Sequence, residues 1–252
     1  MRPARCIAAA IACMITLAAS PLGAPAARAE TVDLLLVLAA DVSRSVDDEE
    51  FNMQRKGYAA AMTDPRVLRA IVGGRHHAIA VTFIEWSGAT DQNIVVDWTV
   101  VRDDEGAAGV AAVILAAPRS FLGRTSISGA IDFAVQRIGA APADADKRVI
   151  DVSGDGTNNS GRSVTEARDE AVATGVTING LAIVNNRSTP GYAFHTQPPG
   201  GLPKYYEENV IGGPGAFLIT VEGFETFADA ITRKLVAEIA AAPAELKSAA
   251  LP

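Results

Sequence analysis

The chain has 252 residues, with 29 acidic against 22 basic side chains and hydrophobic residues at 49% of positions. That length suits one α/β domain with a full core. The formal charge of −7 argues against non-specific binding to nucleic acid.

The first 29 residues carry the marks of a secretory signal. Arg2 and Arg5 form a basic n-region, Cys6 to Ala19 a short apolar core, and Ala27-Arg28-Ala29 a small-x-small cleavage site. The expectation is cleavage after Ala29 and export to the periplasm or beyond the cell. The apolar core is too short for a membrane span, and no later stretch is long and apolar enough, so no stable span is expected after cleavage. Losing Arg2, Arg5 and Arg28 takes the formal charge from −7 to −10. Both cysteines, Cys6 and Cys13, leave with the signal. A disulfide, a Cys-zinc site and a Cys nucleophile are then excluded, in keeping with an oxidising compartment.

The stretch Val32 to Ser45 opens as an apolar run, the mark of a strand buried on both faces. It ends in Asp41, Ser43 and Ser45 at alternate positions. Alternate side chains of an extended chain point the same way, so three oxygen donors converge past the strand's carboxyl end. Open α/β sheets bind their ligands there, and such donors suit a hard cation such as Mg²⁺. Val46 to Met62 reads as a helix with acids in its first turn and bases later, as the helix dipole favours. Ser45 with Asp48 also fits a capping box, a competing structural role for that serine. Asp64-Pro65 breaks the helix, and Gly73-Gly74 ends a short following turn.

His77 to Trp86 and Asn93 to Val101 are apolar-rich strands whose short, turn-rich gap predicts a hairpin. His76 and His77 are adjacent and would face opposite sides of a strand, which argues against metal ligation by both. Glu85 reads as a solvated strand end, with support of a nearby site as its alternative. Asp104 to Ala117 is a helix stopped by Pro118. Gly123 to Ile138 keeps a helical period, with Thr125 at its start as a site residue or an N-cap.

Arg148 to Gly156 is another strand ending in an acid, Asp155; Asp155-Gly156 alone would be a common turn. Asp151 lies inside the apolar part, so the expectation is a shielded carboxylate paired with a donor. A helix over Arg162 to Thr174 and a strand over Val176 to Val184 follow. Residues 185–215 form a long loop rich in proline and aromatics, a length usual for functional or disordered loops. Ala216 to Val221 is a short last strand, Phe224 to Ile239 a closing helix, and 241–252 a frayed tail.

Strands alternating with helices predict a doubly wound, mostly parallel central sheet with one antiparallel edge strand and helices on both faces. One domain is expected over 30–240, with no internal repeat. Asp41-Val42-Ser43-Arg44-Ser45, Gly123-Arg124-Thr125-Ser126 and Asp155-Gly156 resemble the three metal-site loops of the von Willebrand factor A-type domain, a Rossmann-like fold. The resemblance covers about residues 32 to 240. Glu85-Trp86-Ser87-Gly88, Arg148 to Gly156, Ile178-Asn179-Gly180-Leu181 and Val210 to Phe217 are similar to a bacterial secreted subgroup of unassigned function. Asp151 and the length of the 185–215 loop depart from the family pattern.

The resemblance implies a metal-ion-dependent adhesion site. Ser43, Ser45 and Thr125 would offer hydroxyls to Mg²⁺ or Mn²⁺, Asp41 and Asp155 would sit close, and a protein partner's carboxylate would complete the shell. The implied function is a secreted, non-enzymatic binding module. The alternatives are a metal-dependent hydrolase on the same site and a scaffold that binds no ion. The hydrolase needs a positioned base; His195 is the only histidine outside the doublet, and no Gly-x-Ser-x-Gly elbow or phosphate loop appears. N-terminal sequencing of the exported protein should begin at Glu30; a retained Met1 on membrane-bound protein would imply an anchor instead.

Overall fold

The computed structural model describes residues 30–184 and 196–240. The expected signal (1–29), the first part of the long loop (185–195, with His195), and the tail (241–252) lie outside the described residues. Within the described residues, six strands form one sheet: β1 (Glu30–Asp41), β2 (Ile79–Trp86), β3 (Gln92–Val101), β4 (Ala143–Gly154), β5 (Thr177–Val184) and β6 (Leu218–Glu222). Their spatial order is β3-β2-β1-β4-β5-β6. Only the β2–β3 hairpin is antiparallel, so the expected edge strand is β3. The order reverses between β1 and β4, and such a switch point opens a crevice at the strands' carboxyl ends.

Among the described residues, seven α-helices cover the sheet: α1 (Asp48–Met62), α2 (Pro65–Val72), α3 (Asp104–Ala116), α4 (Ile127–Gly139), α5 (Val164–Ala173), α6 (Leu202–Asn209) and α7 (Phe227–Ala240). The apolar run of β1 explains why both faces are covered. Leu34, Leu36, Leu38 and Ala40 pack with Tyr58 and Met62 of α1, Ile71 of α2, Ile114 of α3 and Phe227 of α7. Val32, Leu35, Val37 and Ala39 join Ile131 of α4, Ala167 of α5 and Leu202 of α6 on the other face. A period of two along one strand thus feeds two cores, each large buried side chain contributing roughly 1.5–3 kcal/mol. No helix among the described residues is long and apolar enough to cross a membrane.

Local differences from the sequence reading have identifiable causes. The capping box of α1 is made by Asp47 and Glu50, not Ser45 and Asp48. Ser126, not Thr125, caps α4 by accepting from the Gly129 amide. Both competing roles are therefore filled by neighbours, which releases Ser45 and Thr125 for other partners. The turn after Pro65 is a full two-turn helix capped by Asp64. The long loop contains α6, which starts beyond Gly201 with no side-chain cap. Strand β2 begins only at Ile79, so the histidine doublet lies in the loop before it.

Asp151 is fully buried on β4, and its partner comes from the closing helix. Lys234 Nζ of α7 lies 2.9 Å from Asp151 Oδ1 and also pairs with Glu238 Oε1. Asn179 of β5 donates to Glu238 Oε1 at 2.8 Å. One buried cation thus serves two buried carboxyls. Burial pushes the Asp151 carboxyl up to about 7 despite the nearby ammonium. Removing the cation would strand both acids, a loss of about 3–5 kcal/mol for a broken buried pair. Lys234→Met should show that loss in urea unfolding, while Asp151→Asn, which leaves one cation facing one carboxylate, should cost measurably less.

Candidate metal centre

The carboxyl ends of β1 and β4 bring the predicted residues together. These strands are parallel neighbours with Ala40 opposite Ser153, so Asp41 and Asp155 emerge side by side. Gly154 makes the approach possible: a Cβ there would stand 3.0 Å from Asp41 Oδ2 and 2.7 Å from the Tyr206 hydroxyl. Beyond β1 the chain turns sharply, and the Ser43 amide donates to Asp41 Oδ1 at 2.7 Å.

The hydroxyls form a continuous chain across three loops. Thr125 Oγ1 donates to Ser43 Oγ at 3.1 Å, Ser43 Oγ is 3.1 Å from Ser45 Oγ, and Ser45 Oγ donates to Asp155 Oδ1 at 2.6 Å. All five residues named from the sequence therefore meet at one place. Asp41 and Asp155 are completely shielded, and the Oδ2 atom of each is buried with no hydrogen-bond partner. Two orphaned carboxylate oxygens beside three hydroxyls are a donor set of the hard, oxygen-only kind that suits Mg²⁺ or Mn²⁺.

Comparison with known proteins bears on this geometry. The model of a family described as "Protein of unknown function (DUF1194)" matches residues 31–243. The chain belongs to that family. No curated protein matches it in sequence. Among solved structures it is similar to proximal thread matrix protein 1 from the mussel byssus, with a zinc-occupied MIDAS motif, at TM-score 0.57 and 17% identity over 84% of this chain and 48% of that one. It is also similar to the pilus adhesin SpaC from Lactobacillus rhamnosus GG (TM-score 0.60, 12% identity, 83% of this chain, 31% of that one). A von Willebrand factor type A protein from Catenulispora acidiphila matches at TM-score 0.54 and 14% identity over 83% of this chain and 43% of that one. The chain spans less than half the length of each of these three. The chain thus has a von Willebrand factor A-type fold.

Several residues that hold the centre carry no sequence signal. Arg119 Nη2 donates to the carbonyls of Val42, Ser43 and Val46 at 2.9, 2.9 and 2.7 Å, clamping the β1 loop from behind. Glu85, read as a solvated strand end, is instead fully buried. It accepts from Arg55 Nε at 2.8 Å and Nη2 at 2.6 Å, and from the Ser120 amide at 3.0 Å. A buried ion pair between α1 and β2 thus pins the residue next to Arg119. On the far side, Asn159 Oδ1 accepts from the Thr125 amide at 3.0 Å. Tyr206 of α6 is wholly buried, its hydroxyl unpartnered in the Gly154 notch.

Burial is the main cause of the unusual acidity here. It pushes Asp41 up to about 8, with the Asp155 charge adding to it and hydrogen bonds from Ser43 opposing it. Burial pushes Asp155 up to about 7, opposed by the Ser45 hydrogen bond. Above the ordinary value of 3.8 and below these raised values, the folded state binds more protons than the unfolded state. Stability carried by these carboxyls is therefore present at low pH and lost as pH rises through about 7 to 8. Urea midpoints measured in chelator at about pH 5.5 and about pH 8.5 should fall with rising pH, the slope following from the proton difference. In Asp41→Asn that fall should be smaller.

Proposed function

We propose that the protein is an exported, non-enzymatic binding module. Asp41, Ser43, Ser45, Thr125 and Asp155 would hold one Mg²⁺ or Mn²⁺, through which it captures a carboxylate of a protein partner. The observation that carries this reading is the pair of buried, unpartnered Oδ2 atoms on Asp41 and Asp155, two acids whose Oδ1 atoms are tied to the loop that starts a chain of three hydroxyls. Without a cation those oxygens stay tolerable only as neutral acids. When bound, a Mg²⁺ ion would supply the missing positive charge and an electrophilic face, since few direct anionic ligands leave it attractive to another acid. Arg44 and Arg124 stand exposed beside the hydroxyl-bearing residues, adding cationic character to the rim.

Support for a non-catalytic role comes from the surroundings of the hydroxyls. Ser43 Oγ is engaged by Ser45 and Thr125, not by a histidine or lysine that could activate it. The acids that could act on water are buried and held by loop contacts. The fold likenesses to an adhesin and a thread matrix protein agree with a binding role. Location outside the cytoplasm follows, under this reading, from the basic and apolar start of the chain.

Calorimetry with Mg²⁺ and Mn²⁺ tests the centre. Wild type should bind one ion, and Asp41→Ala should weaken it by more than the ~10–100-fold that loss of even an outer partner costs. The fold should persist, because Asp41 lies at the strand's end. Capture of a partner from envelope extract should fail in chelator and with Asp41→Ala alike. Equal heats for the two proteins, or capture indifferent to chelator, would remove the basis for the proposal; hydrolysis that needs Mg²⁺ would favour the enzyme reading.

A further inference from the structure

The opposite pole of the sheet holds a second group of metal-ligating side chains. Asp33 lies near the start of β1 and Asp146 near the start of β4. Val32 pairs with Ala145 and Leu34 with Lys147, so the two acids occupy corresponding positions on adjacent parallel strands. Like charges placed so are destabilising unless something positive lies between them. His76 reaches this spot from the loop before β2. Its backbone amide donates to Asp33 Oδ1 at 2.9 Å, and its ring Nε2 stands 3.3 Å from Asp146 Oδ2. One ligand atom from each of the three residues lies within 4.8 Å of the others.

We infer that Asp33, His76 and Asp146 form a binding site for a divalent transition cation of the Zn²⁺ class. Four observations carry this. The His76 Nε2 atom is buried and makes no hydrogen bond, although it faces a carboxylate. A tetrahedral zinc with nitrogen and oxygen ligands at ~2.0–2.2 Å holds them roughly 3.3–3.6 Å apart, and the His76–Asp146 separation of 3.3 Å already matches. Asp33 is held in place by backbone amides, as metal carboxylates commonly are: its Oδ1 accepts from His76 at 2.9 Å and its Oδ2 from Ala78 at 3.4 Å. The loop is also shaped to bring His76 down. A Cβ on Gly74 would meet Asp33 Oδ2 at 2.2 Å, so only glycine lets the chain close over that carboxylate.

The chemistry of the set separates it from the other pole. Imidazole with two carboxylates suits zinc, whereas Mg²⁺ prefers oxygen throughout. Lys147 donates to the last carbonyls of α7, Glu238 and Ile239, at 3.0 Å each; its charge also acts on Asp33 and Asp146, but an ammonium cannot serve as a metal ligand. Three protein ligands leave a fourth position for water, and Asp146 lies at the surface where an ion can enter. An ion there would tie together β1, β4 and the loop before β2, a structural role independent of the hydroxyl-rich centre.

Zinc titration against a chromophoric chelator tests this, using Asp41→Ala protein so that the other pole cannot contribute. Wild type in excess Mg²⁺ serves as a parallel. The Asp41→Ala protein should bind one equivalent of Zn²⁺ and melt at a higher temperature with it. Co²⁺ in place of Zn²⁺ should give a visible absorption band. Adding His76→Ala should abolish the equivalent, the melting shift and the band. Adding Asp146→Asn, an exposed position that leaves the fold undisturbed, should weaken binding at least tenfold. Absence of zinc binding in both Asp41→Ala and Mg²⁺-saturated wild type, or binding indifferent to both added substitutions, would overturn the inference and leave His76 a plain bridge between two acids.

Discussion

Two carboxylates held out of water at the ends of adjacent strands set the terms for the rest of this structure. Asp41 and Asp155 are fully shielded, and each keeps one oxygen without a partner. Everything nearby can be read as making that arrangement tolerable. Gly154 lets the groups approach, the hydroxyls of Ser43, Ser45 and Thr125 supply partial compensation, and Arg119 holds the loop rigid through its carbonyls. The buried Arg55–Glu85 pair extends that support into the helical layer. The strength of such an arrangement comes from preorganisation: the donors are fixed before any ligand arrives.

Acids recur along the β1–β4 seam, and each occurrence has a different remedy. At the carboxyl ends burial holds the pKa of Asp41 and Asp155 well above the ordinary value. In the middle, Asp151 meets Lys234 from α7. At the amino ends, Asp33 and Asp146 meet His76. A lysine suits the middle because it is enclosed by the core and needs no exchange with solvent. The carboxyl ends are shielded, whereas at the amino ends Asp146 is exposed. The same electrostatic problem thus meets three different surroundings along one seam.

The sheet and its helices were legible because hydrophobic period is a local signal. The apolar run of β1, the β2–β3 gap and the stripe of α7 each announce themselves within a few residues. That Asp41 and Asp155 would come close was legible for a different reason: acids at the ends of neighbouring parallel strands emerge side by side, while Thr125, ahead of a helix, was placed with them only by resemblance. What stayed hidden depends on partners far along the chain. Ser45 and Thr125 each sit beside a better cap, Asp47 and Ser126. Only the contact of Ser45 with Asp155, 110 residues away, and that of Thr125 with Ser43, 82 residues away, decide between their roles. Glu85 reads as solvated because Arg55 lies in another element. Arg119 follows Pro118 in a loop and has no pattern at all. Helix α6 hides behind Gly200 and Gly201 and begins without a side-chain cap.

The distribution of charge around the centre also constrains how the proposed partner would arrive. Asp47, Asp48 and Glu49 are exposed on the first turn of α1, and a carboxylate approaching over that turn would meet like charge. Arg44 and Arg124 are exposed on the other two loops, and Arg124 Nη2 donates to the Asn159 carbonyl at 2.8 Å. An acidic group is therefore favoured along the side bounded by the β1 loop and the Thr125 loop. Ser45 is the one partly exposed member of the hydroxyl chain, while Ser43 and Thr125 are buried. An incoming oxygen would thus reach the centre beside Ser45, the residue already bonded to Asp155. Displacing or sharing that hydrogen bond would remove what opposes the rise of the Asp155 pKa, so under the proposed function partner capture and protonation at this edge would be linked.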